Sequence, residues 1–371
     1  MRGVSSPHET QATFGNSSVG TRLDLSVVVI AHNEEALILD CLNSALEGCR
    51  AARDSGLLES FEVICVDAAS DDSTNAIART VPVGIVRIPA QLPHGPGAAR
   101  FVGYAFSRGD HVLFLDGDCI VSGIWLMEAL AFLHRSTVAA VDGNIEQAIE
   151  LDTSFSAELL GATRHSWVSQ PMQVQTVGQA IFRRDVLEKI GPHDPFLRGG
   201  EDRELSQRAR LAGYTLIRIP AISVSHYWAG KTRRLSRVTY LKSVVVWSYG
   251  DGQSVRKHWK DVSIRTEQRI RYLRWRTVLQ YERLLLLTPS ILSIGLAVRS
   301  GSVWFFLLGA FTSLAFISLR GKDGEVPFGY RESLFASCLI VVRHFSLILG
   351  LLKGTRPLGT YPLSLVNSVD R

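Results

Sequence analysis

The chain has 371 residues, enough for one large α/β domain with an appendage, and its 31 Gly and 13 Pro exclude a collagenous or wholly disordered protein. The net charge of +5 is uneven: residues 231–283 carry 14 Lys or Arg against four acids, a local excess larger than that of the whole chain. Such a patch suits an anionic membrane surface, nucleic acid or an anionic substrate. Five cysteines (Cys41, Cys49, Cys65, Cys119, Cys338) show no metal-type spacing, which points to unpaired thiols in a reducing compartment.

Residues 1–23 are polar and lack the apolar stretch of a signal peptide, so a flexible tail is expected, followed by a domain in the cytosol. Leu25–Ala31 is an apolar run that predicts a buried parallel strand. Asn33 is suited to cap a helix whose buried face is Ile38, Cys41, Leu42, Ala45 and Cys49. Strands are predicted at Phe61–Val66, Ile85–Ile88, His111–Leu115 and Val138–Val141, with helices opening near Thr74, Gly95 and Ile124. Further on, Gln179–Arg183 reads as a strand before a helix from Asp185. A helix follows Gly199-Gly200, and Leu216–Ile219 is a strand. Alternating strands and helices imply a parallel sheet with ligands beyond its carboxyl ends.

From Leu284 the character changes. Leu284–Val298, Ser302–Leu319 and Leu334–Leu352 are apolar, and the second approaches the roughly 20 residues of a spanning helix. Two or three membrane helices over 284–353 are expected, with the basic residues 231–283 facing the cytosol and 354–371 a C-terminal tail. Trp259, Tyr272 and Trp275 lie among the basic residues and can stack on bases, but their place beside apolar segments argues for a membrane rather than nucleic acid.

Polar clusters end the predicted strands. Asp116-Gly117-Asp118 follows Phe114 and Leu115, so two carboxylates emerge where a ligand would lie. They suit Mg²⁺ or Mn²⁺ bridging a diphosphate. An acid-x-acid triplet elsewhere would usually be a solvated turn. Asp67 ends the second strand, placed for a nucleobase or ribose, or equally for a turn. Arg100, in Gly95-Pro96-Gly97-Ala98-Ala99-Arg100, is placed to meet phosphate. Glu201 and Asp202 open a helix, where a carboxylate can take a hydroxyl proton or merely favour the helix dipole. His226 can add a metal ligand, and Tyr227 and Trp228 can line a sugar or pack in a core.

The ordered motifs resemble family 2 glycosyltransferases of GT-A fold. They are Leu25–Glu34, Val66-Asp67-Ala68-Ala69-Ser70-Asp71-Asp72-Ser73-Thr74, Gly97–Arg100, Leu115–Asp118, Phe182–Leu187, and Gly200–Leu205 with Arg208. The resemblance covers about residues 25–230. It implies a Rossmann-like GT-A domain over 24–230 that binds a nucleotide-sugar donor through Ala31, Asn33, Glu34, Asp67, Arg100, Asp116 and Gly117. It also implies metal ligation by Asp118, Asp116 and His226, with Asp202 as general base supported by Glu201. Tyr249-Gly250-Asp251-Gly252 and the apolar segments resemble the membrane-associated branch that builds bacterial exopolysaccharides, including succinoglycan-type enzymes. The expected activity is inverting transfer of a sugar to a membrane-presented, polyprenyl-diphosphate-linked glycan at the cytoplasmic face of the plasma membrane. Direct loading of polyprenyl phosphate and a non-catalytic nucleotide-binding scaffold are the rivals.

The sequence departs from the family pattern at Ala68 and Ala69, where a second Asp and a Gly are usual, and at Phe101, where Asn is common. Gln268-Arg269-Ile270-Arg271-Tyr272 resembles the Gln-x-x-Arg-Trp motif of processive synthases, with Tyr for Trp. It lies far beyond Asp202, so a non-processive enzyme is expected.

Overall fold

The computed structural model describes residues 23–133, 138–148, 167–227, 237–258, 346, 349–350 and 352–369. These fall into two compact units, one running to Ser236 and resuming at Arg356, the other Arg237–Thr355. The first unit is built on one sheet. Its strands are β1 (Leu23–Ala31), β2 (Phe61–Ala68), β3 (Gly84–Ile88), β4 (Gly109–Asp116), β5 (Cys119–Val121), β6 (Val138–Gln147), β7 (Met172–Gln173), β8 (Ile181–Arg183), β9 (Thr215–His226) and β10 (Asn367–Val369). Its helices are α1 (Ile38–Asp54), α2 (Thr74–Ala78), α3 (Pro96–Phe106), α4 (Gly123–Leu133), α5 (Arg184–Ile190) and α6 (Glu201–Leu211).

The strand β1 shows why the unit is layered. Side chains alternate across a strand, and both faces of β1 are apolar. Leu25, Val27, Val29 and Ala31 join α1 and α4 in one core; Val28 and Ile30 join α3, α5 and α6 in the other. A sheet covered on both sides is the result, and it requires the near-continuous apolar strands seen in the sequence. Gly103 sets how closely α3 approaches: a Cβ there would lie 2.1 Å from Val28 Cγ1.

The sheet order is β10-β3-β2-β1-β4-β8-β6-β9-β5, with β7 beside β9. Strands β3, β2, β1 and β4 are mutually parallel. Their carboxyl ends are in register, Ala31 beside Asp67 and Ile30 beside Asp116. The rest is mixed: β8 runs antiparallel to β4 and β6, and β5 antiparallel to β9. The parallel sheet expected from the alternating strands thus holds for β1 to β4, and the second half departs from it. Hydrophobic runs report burial, but not the direction of the neighbouring strand.

Two further expectations change. Asn33 does not cap α1, whose N-cap is Leu37; it adopts a left-handed φ of 58°, and its Oδ1 accepts the Asp71 N–H. Residues 356–369, within the segment expected as a C-terminal tail, belong to the first unit: β10 pairs antiparallel with β3 and covers that edge. Tyr361 anchors the return. It is 5% exposed, its hydroxyl donates to the Pro93 carbonyl at 2.7 Å, and its ring packs on Phe101 and Phe196.

In the second unit, α7 (Arg237–Lys257) carries the Tyr249–Gly252 motif. A Cβ at Gly350 would collide with the Tyr249 carbonyl, and Gln253 Nε2 donates to the Gly354 carbonyl at 2.7 Å. Among the described residues, no helix is long and apolar enough to cross a membrane. The apolar runs 284–298 and 302–319, the 268–272 motif, Trp228 and most of 334–352 lie outside the described residues.

The anchor gives a stability prediction. Tyr361→Ala should lower the unfolding free energy by about 3–5 kcal/mol, as for other buried aromatics. Tyr361→Phe should cost only about 1 kcal/mol, the worth of the lost hydrogen bond. Denaturant unfolding of the full chain measures both; equal losses would mean that the ring contributes little.

Candidate active site

Three carboxyl ends of the sheet meet two helix starts. At the end of β1, the backbone N–H groups of Asn33, Glu34 and Glu35 donate to Ser70 Oγ, Thr74 Oγ1 and Asp72 Oδ2. In return, Ser73 N–H donates to Glu35 Oε2. The polar turn after β2, read from sequence as a helix opening, thus also clamps the loop after β1. Ala69 holds a left-handed φ of 59° in that turn, a conformation normally left to Gly.

Asp67 is fully buried beneath this clamp. Its Oδ1 accepts the Ser70 N–H at 2.9 Å. Its Oδ2 has no hydrogen-bond partner, although Arg87 Nε lies 3.3 Å away. A buried acceptor left open is costly without a ligand N–H. Sequence alone left Asp67 as either a turn residue or a ligand contact, and its Oδ1 takes the turn role. Arg87 was not anticipated; it is an alternating strand residue with no motif around it.

The acid pair follows β4. Gly117 N–H donates to the Ile30 carbonyl at 2.8 Å, and a Cβ on Gly117 would press on Ala31 and Glu34. Asp118 and His226 come together because β5 pairs with β9 in the register Cys119 to His226. His226 Nε2 lies 3.1 Å from Asp118 Oδ2, both partly exposed, and Tyr227 N–H donates to the Asp118 carbonyl. Cys119 lies within the same cluster but is fully buried, and burial raises its thiol well above the usual range.

Arg100 occupies the centre. It projects from α3, is 2% exposed, and donates at 2.7 Å to both Asp116 Oδ1 and Glu201 Oε1. Asp202 Oδ1 lies 3.8 Å from its Nε. Expected at phosphate, its guanidinium is here surrounded by carboxylates from β4 and α6. Burial disfavours its charge, but Asp116, Asp202 and Glu201 outweigh that and keep it protonated. Gln179, which sequence reading missed, braces the same spot: its Nε2 lies 2.9 Å from Cys119 Sγ and 3.4 Å from Asp116 Oδ2.

The acids respond differently. Burial raises Asp116 despite Arg100, with Asp118 adding repulsion. Burial also opposes ionisation of Asp118, but His226 outweighs it and lowers the value. Glu34 is pushed up to about 8 by burial, then by Asp118 and Asp116. Glu201 rises to about 7 through burial and its neighbour Asp202, with Arg100 opposing. Asp202 is the exception. Burial would raise it, yet Arg100 and His193 bring it below its ordinary value. His193 was also missed; a lone His in a Pro-containing loop carries no spacing signal.

The donor set fits a divalent cation. Neighbouring ligands of one ion, each about 2.1 Å from it, lie about 3 Å apart, close to the 3.1 Å between Asp118 Oδ2 and His226 Nε2. Burial and the repulsion of Asp118 and Asp116 raise Glu34, and a cation beside them would relieve that repulsion. The protonated, buried Cys119 thiol is not part of such a hard-cation set.

Residues 26–191 match the family described as Glycosyl transferase family 2. The chain is 28% identical over 198 residues to "Glycosyltransferase AglE" of Haloferax volcanii, covering 52% of this chain and 63% of that protein. It is 27% identical over 261 residues to "Inactive polypeptide N-acetylgalactosaminyltransferase-like protein 5" of Macaca fascicularis, covering 60% of this chain and 57% of that protein. It thus spans less than two thirds of either relative. The structure is similar to that of a mannosyltransferase, PcManGT, from Pyrobaculum calidifontis, in complex with GDP-Man and Mn²⁺. That likeness has a TM-score of 0.49 and 18% identity, and covers 90% of this chain and 87% of that one. Over residues 26–191 the chain is thus similar to glycosyl transferase family 2, and in this stretch a mixed α/β sheet carries its acid pair directly after β4.

Proposed function

We propose that the chain is an inverting glycosyltransferase that moves a sugar from a nucleoside-diphosphate donor to a hydroxyl of a membrane-presented, lipid-linked glycan. One observation carries the reading: Asp116, Glu201 and Asp202, from two distant parts of the sequence, converge around the buried Arg100, while Asp118, two residues from Asp116, pairs with His226. Asp67, with its open Oδ2, supplies a nucleobase contact on the same edge of the sheet.

Asp118 and His226 would hold Mg²⁺ or Mn²⁺, with Asp116 beside them. When bound, such an ion offsets the charge on the departing diphosphate. The chain's own residues do the rest. Asp202 is ionised and partly exposed, so it can accept the acceptor's hydroxyl proton. As that O–H bond breaks, the oxygen bonds to the anomeric carbon from the face opposite the diphosphate. The old carbon–oxygen bond breaks, and the nucleoside diphosphate leaves with the electron pair. Arg100 keeps Glu201 and Asp202 from repelling the site apart.

The membrane part of the proposal is supported by the charge excess of residues 231–283 beside the apolar segments from Leu284. The resemblance of the Tyr249–Gly252 motif to bacterial exopolysaccharide enzymes supports action at the cytoplasmic face of the plasma membrane. Recovery of the full chain entirely in the soluble fraction of lysed cells would sink this part.

The metal pair predicts that Asp118→Ala and His226→Ala each lose about 10²-fold or more of Mn²⁺-dependent donor turnover. Isothermal titration should show that both bind Mn²⁺ more weakly. Unaltered Mn²⁺ affinity in either would remove that residue from the ligand set.

The base predicts that Asp202→Asn lowers kcat about 10²–10⁴-fold while donor KM is kept. If turnover survives, the acceptor is already an anion, and transfer to polyprenyl phosphate becomes the better reading. The pH profile has a definite sign. The active form is the carboxylate and its value is lowered, so the rate should fall only below the ordinary Asp range of about 4. An acid limb near neutrality would assign the base elsewhere.

A further inference from the structure

We propose that His193 is a positioning residue for Asp202, holding Oδ1 so that Oδ2 is the oxygen that takes the acceptor proton. The inference rests on Asp202 being the base. His193 Nε2 lies 3.2 Å from Asp202 Oδ1, and its side chain is 1% exposed. The imidazole is gripped edge-to-face by Phe114 at 4.6 Å and Phe182 at 6.4 Å between ring centroids. Phe114 lies on β4, just before the acid pair, so the ring is fixed by the strand that also delivers Asp116. Arg100 Nε approaches the same Oδ1 at 3.8 Å.

The two carboxylate oxygens are therefore unequal. Oδ1 faces a buried imidazole and a buried guanidinium. Oδ2 lies toward Gly178, where an added Cβ would stand 3.9 Å away, and the Asp202 side chain keeps 26% of its surface exposed. Burial keeps His193 neutral. A neutral ring that donates from Nε2 must leave Nδ1 bare, and Nδ1 has no hydrogen-bond partner. The charged groups around the pair are Arg100, Glu201, Arg203 and Asp116 on the Asp202 side, and Arg100 and Arg208 on the His193 side. Removing His193 leaves Arg100 able to hold the charge but not the orientation, so the effect belongs in kcat.

The test compares His193→Phe, which keeps the aromatic packing and loses the donor, with His193→Gln, which restores an N–H donor. Membranes carrying the full chain are given Mn²⁺ with UDP-glucose, UDP-N-acetylglucosamine or GDP-mannose, and nucleoside diphosphate release is followed. His193→Phe should lose about 10- to 100-fold in kcat with donor KM unchanged, and its acid limb should move to higher pH. His193→Gln should recover to within about threefold of wild type. Wild-type kcat in His193→Phe overturns the proposal. So does equal impairment of both variants, which would mark a packing role. Asp202→Asn runs in parallel. If it keeps full turnover, the base assignment and this inference fall together; if it is inactive while His193→Phe is not, only this inference falls. A measurement free of any substrate uses ¹⁵N-imidazole NMR of the wild-type chain. It should show the Nε2–H tautomer of His193 at neutral pH, and an Nδ1–H tautomer overturns the proposal.

Discussion

The site depends on one buried cation. Arg100 brings α3 to the end of β4 and to the start of α6, and it does so with almost no solvent contact. Taking a guanidinium out of water costs several kcal/mol unless each donor finds a partner of good geometry. Here two carboxylates are met at 2.7 Å and a third stands close. A lysine would supply one point charge, whereas the planar fork of arginine spans acids that arrive from different elements. The converse also holds. Asp116, Glu201 and Asp202 crowd together stably only because Arg100 sits among them. The glycines of α3 make this placement possible: a Cβ at Gly97 would lie 2.4 Å from the Asp194 carbonyl, and one at Gly103 would collide with Val28.

The same crowding explains how similar acids take different roles. Burial pushes Glu34 and Glu201 toward the neutral form, while Asp202 gains both Arg100 and His193 and stays ionised. Asp118 gains His226 and is lowered, whereas Asp116 is raised. The acid pair therefore splits into one member facing a histidine at an accessible edge and another tied to the buried arginine.

The layered fold was legible because burial on both faces leaves continuous apolar strands, as in Leu25–Ala31 and His111–Leu115. The acids at the strand ends were legible because carboxylates directly after such strands can only emerge at an edge. What stayed hidden were partners set by tertiary packing. Nothing in the Pro192-His193-Asp194 stretch tells that the imidazole will face Asp202, and nothing near Arg100 distinguishes a phosphate contact from a carboxylate hub. Strand direction in the second half of the sheet was hidden too, since β8 and β5 are three residues each and carry no pattern of their own.

The departure at Phe101 and the fate of the C-terminus explain each other. Phe101 follows Arg100 on α3 and is buried, and the ring beside it is Tyr361, delivered by the segment that ends in β10. An aromatic at 101 would face solvent or a void if residues 356–369 were a free tail. With the tail folded back, it becomes the seat of an anchor one residue from the central arginine. The consequence is topological. The chain leaves the first unit near Ser236 and re-enters it at Arg356, so residues 237–355 are an insertion tied at both ends rather than a C-terminal appendage. Tying both ends lowers the number of arrangements open to the insertion.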